Sequence, residues 1–266
     1  MEQTSHHTEL TIAKSLARQA GKAILEVYGS EFSVTKKSDQ SPVTEADLRS
    51  NAIIVKGLRL AFPGDAILTE EEEDDKTRFS TSRVWIIDPL DGTKEFVKRN
   101  GEFAISIGLI QGGKPLVGVI YAPARDEMYY AETGKTAFFE HAGTIEPLKV
   151  STCGNLSESI VIRSGSSTDN RVARFDSLVK SSLSIGSALK GCLVARSHAD
   201  FYPRFERLWE WDVCAMHLIV ESAGGRVSSL DGSELTYNKE NPRLDHGFIM
   251  SNGALHPHVL EVMRNG

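Results

Sequence analysis

The chain is poor in cysteine, and it lacks both a long apolar run and an excess of positive charge. Its three cysteines, Cys153, Cys192 and Cys214, are odd in number and far apart, which argues against a disulfide framework or a zinc site. No apolar run approaches the roughly 20 residues of a membrane span, and the acidic start is unlike a secretory signal. The formal net charge of −6 argues against binding of nucleic acid. These absences favour a cytoplasmic protein.

The composition is that of a globular protein that can bury its own core. The chain has 266 residues, of which 40% are hydrophobic and 25% are charged, enough for one large domain or two modest ones. Helical spacing of apolar residues predicts helices over residues 8–29 and 44–61. Short apolar runs then predict two buried strands and an antiparallel meander that ends with MYYAE.

The pattern changes from about residue 155. Strand-like runs such as SIVIR and GFIMSN alternate with helix-like runs such as NRVARFDSLV and DVCAMHLIVESAG. Alternation of this kind is typical of an α/β arrangement. We therefore predict an α+β N-terminal half over residues 1–150 and an α/β C-terminal half over residues 151–266, with the boundary near residues 145–158.

Two aspartates follow one of the predicted buried strands. Asp88 comes after the apolar run VWII, Pro89 interrupts the strand, and Asp91 and Gly92 form a turn before Thr93 opens a helix-compatible stretch. Carboxylates are ligands that suit Mg²⁺, and backbone N–H groups at the start of a helix bind phosphate oxygens. The string predicts a combined metal and phosphate site, although an ordinary strand-to-turn corner can also contain an Asp-Gly pair.

Three further acids lie at predicted element ends. Glu70 follows the strand AILT at the same relative depth as the first aspartate, whereas the acids at 72–75 fit a solvated loop. Asp212 opens an apolar helix, where a favourable interaction with the helix dipole is the plain alternative. Asp47 lies three residues after Thr44, as in a capping box.

Together these strings resemble the inositol monophosphatase superfamily of lithium-sensitive, Mg²⁺-dependent phosphatases. The string from Asp88 to Thr93 resembles its first signature, and the stretch from Trp211 to Gly225 resembles its second. Glu70-Glu71 and residues 43–47 match two shorter upstream elements in the same order. The resemblance runs to about residue 252 and implies a mixed α+β and α/β fold, the layered α-β-α-β-α sandwich of the inositol monophosphatase and fructose-1,6-bisphosphatase type.

Within that superfamily the sequence is most similar to bacterial 3′(2′),5′-bisphosphate nucleotidases of sulfate assimilation. The strings that carry this similarity include DGTKEF at 91–96, SIGSALK at 184–190 and YPRF at 202–205. The resemblance implies hydrolysis of adenosine 3′,5′-bisphosphate (PAP) to AMP and phosphate, with conversion of PAPS to APS as a further activity. It also implies a small phosphorylated nucleotide as the partner and a monomer or homodimer without a transmembrane segment, in a group where peripheral association with the inner membrane occurs.

The resemblance further implies a role for each matching residue. It implies two or three Mg²⁺ ions with the N-terminal half supplying most ligands: Glu70, Asp88, the Leu90 carbonyl and Asp91, with Asp212 from the C-terminal half. It implies that Asp47 and Thr93 activate the attacking water. The implied substrate contacts are Gly92, Thr93, Ser187, Lys190, Arg204 and Asp212.

The substrate prediction depends on two cations. Arg204 lies where inositol-specific relatives carry an acidic residue, and an arginine suits a second phosphate through a bidentate contact. Lys190 adds a second cation, with Ser187 three residues earlier on the same predicted helix face. Surface solvation is the plain alternative for both cations. Gly165 is a departure, because some nucleotidases of this group have a substrate-binding His there, and Arg163, two residues earlier, is a candidate replacement.

Two other functions fit the same residues. The first is a phosphatase of the same superfamily that acts on inositol or sugar phosphates. The second is a non-catalytic sensor that binds Mg²⁺ or a nucleotide on the same fold. Every acid and the threonine expected of a working site are present, which favours an enzyme over a sensor.

Overall fold

The protein is represented by a computed structural model that describes residues 5–36, 42–164 and 170–265. The helices of these residues are α1 (His7–Tyr28), α2 (Glu45–Ala61), α3 (Thr93–Val97), α4 (Leu189–Ala195), α5 (Glu210–Ser222) and α6 (His256–Asn265). The first nine strands are β1 (Val34–Lys36), β2 (Pro42–Thr44), β3 (Ala66–Thr69), β4 (Arg83–Asp91), β5 (Ala104–Gln111), β6 (Lys114–Ala122), β7 (Glu127–Glu132), β8 (Phe138–His141) and β9 (Thr144–Pro147). The remaining strands are β10 (Ile160–Ser164), β11 (Ser181–Ile185), β12 (Phe201–Arg204), β13 (Leu208–Trp209), β14 (Arg226–Ser229), β15 (Arg243–Leu244) and β16 (Phe248–Ser251).

A seven-stranded sheet with the order β3-β4-β5-β6-β7-β8-β9 dominates the N-terminal half. The β3–β4 pair is parallel and the other pairs are antiparallel. Along β4, Trp85 and Ile87 pack with α1 and α2, whereas Val84 and Ile86 pack with α5. Alternate residues of a strand point to opposite faces, so β4 reads as a continuous apolar run because helices cover both faces.

A five-stranded sheet with the order β11-β10-β12-β16-β14 forms the second β-layer. Strand β10 is parallel to β11 and β12, and β16 is antiparallel to β12 and β14. Tyr202 and Met250 belong to the core shared with α4, α5 and the first sheet, whereas Phe201 and Ile249 pack with α6 residues such as Val259. The layers therefore run α1 and α2, first sheet, α4 and α5, second sheet, α6, and this order confirms the predicted sandwich.

Helix α5 lies close to the first sheet because two glycines leave room for it. A Cβ atom at Gly118 on β6 would lie 2.7 Å from the backbone oxygen of Ala215, and one at Gly108 on β5 would lie 2.7 Å from the Sγ atom of Cys214. Both positions would clash with any larger residue unless the helix moved away. The two glycines therefore set the distance between α5 and the sheet.

Two predicted elements differ from the observed ones. The run NRVARFDSLV, predicted as a helix, forms a short 3₁₀ segment at Asn170–Phe175, in which the buried residues Val172 and Phe175 lie three apart, a spacing that suits a 3₁₀ turn. Pro89 does not end its strand, because β4 continues to Asp91 through an irregularity between Asp88 and Asp91. A bulge tolerates a residue that cannot donate a backbone hydrogen bond. Strands β1, β2, β8, β9, β13, β14 and β15 and helix α6 were not predicted.

The predicted helices α1 and α2 and the three-strand meander β5–β7 are confirmed. None of the helices in the described ranges has the length and apolar character needed to cross a bilayer. The division into halves at residues 145–158 remains a prediction.

Candidate active site

The bulge at the end of β4 places two carboxylates at one edge of the first sheet. Asp88 pairs with Ser106 and Asp91 with Ala104, so two residues on β4 face one residue on β5. The Oδ1 atom of Asp88 accepts a hydrogen bond of 3.0 Å from the backbone N–H of Leu90. This contact fixes the Asp88 carboxylate inside the bulge, where its side chain is buried.

Glu70 reaches the same edge from the neighbouring strand. Strands β3 and β4 are parallel, and Thr69 pairs with Ile87. Glu70, which follows the end of β3, therefore lies beside Asp88 on β4, and both residues line one cleft. The shared depth that the sequence predicted for these two acids is confirmed by this register.

Asp212 comes to the site from the C-terminal half. It lies in the first turn of α5, where its Oδ2 atom accepts a hydrogen bond of 2.6 Å from the backbone N–H of Trp209. Asp212 therefore also makes the favourable interaction with the start of a helix that was the alternative explanation for this residue. One carboxylate oxygen of Asp212 nevertheless lies within 4.8 Å of oxygens from Asp88 and Asp91.

These clustered acids perturb one another. Burial raises the pKa of Asp88 well above its usual range, and the charges of Glu70, Asp91 and Asp212 raise it further. Burial also raises the pKa of Asp91 to about 6, with Lys190 acting in the opposite direction. Burial and the neighbouring Asp91 raise the pKa of Asp212. A bound cation would relieve this repulsion and keep the carboxylates ionised.

The donor set fits a hard divalent cation. Three carboxylate oxygens from three residues approach within one coordination sphere, and Glu70 lines the same cleft. The carbonyl oxygen of Leu90 points towards Thr93, whose Oγ1 atom lies 3.4 Å away. The structure thus brings together all five predicted ligand residues: Glu70, Asp88, Leu90, Asp91 and Asp212.

Asp47 and Thr93 form a hydrogen-bonded pair beside the carboxylates. The Thr93 Oγ1 donates to Asp47 Oδ1 across 3.1 Å. The other oxygen, Oδ2, accepts from the backbone N–H of Thr44 at 2.8 Å and from its hydroxyl at 2.6 Å. The predicted cap and the predicted catalytic pair therefore coexist through different atoms of one carboxylate.

Gly92 connects this cluster to the C-terminal half. Its φ of +94° lies in the left-handed region that favours glycine. A Cβ atom there would lie 3.0 Å from the backbone oxygen of Glu102 and 3.2 Å from the Cβ atom of Ser187. Gly92 and Ser187 are therefore in close contact although they are 95 positions apart in the sequence.

A pocket continues from the carboxylates between the two sheets. It is lined by the acids Asp91 and Asp212 at one end and by polar and cationic residues of the C-terminal half: Ser164, Ser187, Lys190, Tyr202 and Arg204. Burial lowers the pKa of Lys190, whereas the nearby charge of Asp91 opposes this shift. Lys190 and Arg204 are therefore not solvated surface cations, since both line an internal pocket.

Arg204 is held at one edge of its guanidinium group. One of its terminal nitrogens lies 2.9 Å from a carboxylate oxygen of Glu206, and the buried Nε atom has no hydrogen-bond partner within residues 5–36, 42–164 and 170–265. Arg204 also borders a second cleft that contains Lys94 and Arg171. The guanidinium group thus stands where the two cavities meet.

Some features of the site lie outside the sequence prediction. Tyr202 and Glu95 line the pocket, and the alternation of β12 was the available signal for Tyr202, which lies two residues from Arg204 on the same strand face. Gly165 lies outside the described residues. Arg163, its suggested replacement, is paired with Asp176.

The acids at 72–75 are more than a solvated loop. Burial raises the pKa of Asp74, but hydrogen bonds from Arg78 and Lys76 outweigh this effect and lower the pKa to about 2. Arg78 is buried and also donates to Asn238 across 2.6 Å. This contact ties the acidic loop to the C-terminal half.

The fold and this arrangement of acids agree with the similarity of the chain to known proteins. Residues 6–265 match the inositol monophosphatase family, and the chain belongs to that family. It is 41% identical over 238 residues to a 3′(2′),5′-bisphosphate nucleotidase, CysQ, of Salmonella typhimurium, covering 88% of this chain and 95% of that protein. It is 34% identical over 259 residues to a fructose-1,6-bisphosphatase/inositol-1-monophosphatase of Thermotoga maritima, covering 96% of this chain and 95% of that protein.

A solved structure shows the same likeness. CysQ from Bacteroides thetaiotaomicron, described as a bacterial member of the inositol monophosphatase family, superposes with a TM-score of 0.80 at 33% identity. The superposition covers 92% of this chain and 97% of that one. The predicted family and fold are therefore confirmed.

Proposed function

We propose that this chain is a Mg²⁺-dependent 3′(2′),5′-bisphosphate nucleotidase that hydrolyses adenosine 3′,5′-bisphosphate to AMP and phosphate. The observation that carries the proposal is the direct junction of a cluster of buried and half-buried carboxylates with a pocket that contains Lys190 and Arg204. The similarity to curated nucleotidases of that name supports the choice of substrate. Conversion of PAPS to APS is a second activity of the same proposal, since both molecules carry a 3′-phosphate on an adenosine.

The carboxylate cluster would hold the metal. Glu70, Asp88, Asp91 and Asp212, with the Leu90 carbonyl, supply oxygen ligands of the kind that Mg²⁺ prefers. When bound, Mg²⁺ offsets the negative charge of the phosphate ester, lowers the pKa of water and stabilises the leaving oxygen. Gly92 and Thr93 complete this end of the site as contacts to the phosphate that reacts.

Asp47 and Thr93 would orient and deprotonate the attacking water. The Thr93 hydroxyl donates its own proton to Asp47, so its lone pairs are directed away from that carboxylate and can accept a proton from water. Burial raises the pKa of Asp47, against the effect of its hydrogen bonds to Thr44 and Thr93, which makes Asp47 a stronger base than an exposed aspartate. The proton passes from water to the Thr93 oxygen as the threonine proton moves to Asp47.

The second phosphate of the substrate would bind in the pocket between the sheets. Lys190 supplies a positive charge there, and Arg204 presents an unpaired Nε atom beside it. Ser187 adds a hydroxyl, and the part of the nucleotide beyond the reacting phosphate can extend towards the second cleft that Arg204 borders. Two cations facing one pocket select a ligand with a second anionic group over a neutral sugar alcohol.

Replacement of Arg204 tests this assignment. We expect Arg204→Glu to lower kcat/KM for adenosine 3′,5′-bisphosphate roughly tenfold to a hundredfold, because it removes a charged hydrogen bond and adds repulsion. The value for adenosine 3′-monophosphate, which has no second phosphate, should change much less. Lys22→Glu, an equal change of charge on the exposed face of α1, is the matched control. Equal losses on the two nucleotides would show that Arg204 does not contact the second phosphate.

A substrate panel separates this function from its main competitor. Phosphate release from adenosine 3′,5′-bisphosphate, PAPS, inositol 1-phosphate and fructose 1,6-bisphosphate is measured in parallel, with and without Mg²⁺. The proposal expects the two nucleotides to have the largest kcat/KM and no turnover once EDTA removes the metal. Faster turnover of a sugar or inositol ester would identify a sugar phosphatase instead.

A further inference from the structure

The hydroxyl of Tyr202 is the buried polar group in the pocket that the proposed chemistry leaves without a role. The side chain is fully buried, and its oxygen has no hydrogen-bond partner within residues 5–36, 42–164 and 170–265. A buried hydroxyl without a partner loses its hydrogen bonds to water and gains none in return. Such a group in a native protein calls for a partner from outside the chain, which can be water in the empty pocket and a polar atom of the substrate in the occupied one.

The backbone of β12 places Tyr202 in the wall of the pocket. Tyr202 and Arg204 are two residues apart on one strand, so their side chains lie on the same face, and both line the pocket. Phe201 belongs to the core on the opposite face. The Tyr202 ring packs edge-on against Phe248, with ring centroids 5.5 Å apart. Packing therefore holds the ring in the pocket wall.

The surroundings of the hydroxyl indicate which part of a substrate it would meet. Tyr202 lines the pocket that contains Lys190 and Arg204, and the Lys190 ammonium lies 5.7 Å from the centre of the Tyr202 ring. Tyr202 is absent from the cleft formed by Glu70, Asp88 and Thr93, where the reacting phosphate would bind. Tyr202 thus lies in the same pocket wall as Lys190 and Arg204 and outside the cleft that contains Glu70, Asp88 and Thr93.

From this placement we infer that Tyr202 is a specificity residue whose hydroxyl donates a hydrogen bond to an oxygen of the substrate's second phosphate, beside Arg204. The inference rests on the proposed function and adds a neutral donor to the two cations. An anionic oxygen drawn in by Lys190 and Arg204 is the strongest acceptor that a tyrosine hydroxyl can meet. Tyr202 would then contribute to the binding of bisphosphates and leave the chemical step unchanged.

Tyr202→Phe tests the inference, because it removes the hydroxyl and keeps the packed ring. We expect the KM for adenosine 3′,5′-bisphosphate to rise roughly tenfold, the loss of one hydrogen bond to a charged group. The kcat for this substrate and both constants for adenosine 3′-monophosphate should stay at the wild-type values. Tyr129→Phe removes a buried hydroxyl on β7 that bonds to Glu127 at 3.2 Å, and this matched control should leave both KM values unchanged.

A second measurement, of thermal unfolding without any ligand, does not depend on turnover. Because the hydroxyl has no partner among the described residues, Tyr202→Phe should unfold at the wild-type temperature or above it, whereas Tyr129→Phe should unfold at a lower temperature. A clear drop in the unfolding temperature of Tyr202→Phe would show that the hydroxyl has a structural partner. An unchanged KM for the bisphosphate, or an equal rise for the monophosphate, would overturn the inference while leaving the proposed function in place.

Failure of the proposed function gives a different result. If the wild type hydrolyses fructose 1,6-bisphosphate in preference to the nucleotide, the nucleotide assignment is wrong, and the Tyr202 inference is judged on that bisphosphate. A raised KM of Tyr202→Phe for fructose 1,6-bisphosphate would still support the inference that Tyr202 contacts a second phosphate. If the wild type acts on monophosphates alone, no second phosphate is bound and the inference fails as well.

Discussion

The two ends of the candidate site differ in charge and in the way the fold assembles them. The acidic end contains Asp88 and Asp91 on one bulged strand, with Glu70 from the adjacent parallel strand. The cationic end contains Lys190 on α4 and Arg204 on β12, two elements of the C-terminal half that meet in the same pocket. The acidic end is suited to hold a metal and a phosphate of any ester, whereas the cationic end is suited to choose between esters. The proposed function therefore predicts that reaction type and substrate choice can be changed independently.

Breaking the acidic end should have the largest effect. We expect Asp91→Asn to lower kcat for every phosphate ester by about 10³-fold or more, since it removes a metal ligand at the centre of the cluster. In EDTA the same variant should unfold at a higher temperature than the wild type, because one of the mutually repelling buried carboxylates is gone. Calorimetry and phosphate-release assays measure the two effects.

Glu73→Gln is the matched control for that charge change, because Glu73 is exposed in the acidic loop. It should alter neither kcat nor the unfolding temperature. A wild type that binds nucleotide and Mg²⁺ but turns over no ester would instead make the protein a sensor.

The next largest effect sharpens the comparison within the acidic end. Asp47→Asn and Thr93→Val should each lower kcat by about 10²–10⁴-fold, and the double variant should lose little more than either single one, because the two residues act as one unit. A double-mutant cycle on kcat measures this. Fully additive losses would mean that the 3.1 Å hydrogen bond has no catalytic part.

Thr44→Ala separates capping from catalysis in the same cycle. It removes the hydroxyl that bonds to Asp47 at 2.6 Å and keeps the backbone N–H that bonds to it at 2.8 Å. The free energy of unfolding should fall by about 1 kcal/mol, the usual cost of a lost helix cap. Its kcat should fall far less than that of Asp47→Asn.

The smallest predicted effect concerns His256, a residue of the scaffold that lies outside both ends of the site. His256 is buried between the hydroxyls of Ser228 and Ser251, which lie 2.9 Å and 2.8 Å from its ring nitrogens. Burial, with a smaller effect of the Arg226 charge, lowers the pKa of His256 from 6.5 to about 4. His256 therefore binds a proton below about pH 6.5 in the unfolded chain but only below about pH 4 in the folded chain. Stability from this residue is complete above the higher value and is lost as the pH falls.

We expect this residue to cost the wild type about 2 kcal/mol of unfolding free energy between about pH 7 and pH 5. Urea unfolding of the wild type and His256→Asn at both pH values measures it, and the difference between the two proteins cancels the titration of the site carboxylates. Equal losses in both proteins would contradict the assignment.

Much of the acidic end could be predicted from the sequence, because its residues follow apolar strands directly and a strand end fixes where the next side chain lies. The path of β4 through Pro89 could not be predicted from the sequence, because the bulge depends on how β4 pairs with β5. At the cationic end, the resemblance implied that Lys190 and Arg204 contact one substrate, but the residue pattern did not indicate how α4 and β12 pack to bring them together. The unpaired hydroxyl of Tyr202 becomes visible once the packing of α4 on β12 is known.

The glycines under α5 have a consequence for the metal site. Asp212 lies on that helix, and Asp88 and Asp91 lie on the sheet, so the distance between their carboxylates depends on how closely the helix packs against the sheet. At Gly118 this close packing depends on the absence of a side chain, since a Cβ atom would lie 2.7 Å from the backbone oxygen of Ala215 on α5. A single carbon added there, remote in sequence from every ligand, would act as a spacer and widen the gap that a cation has to bridge.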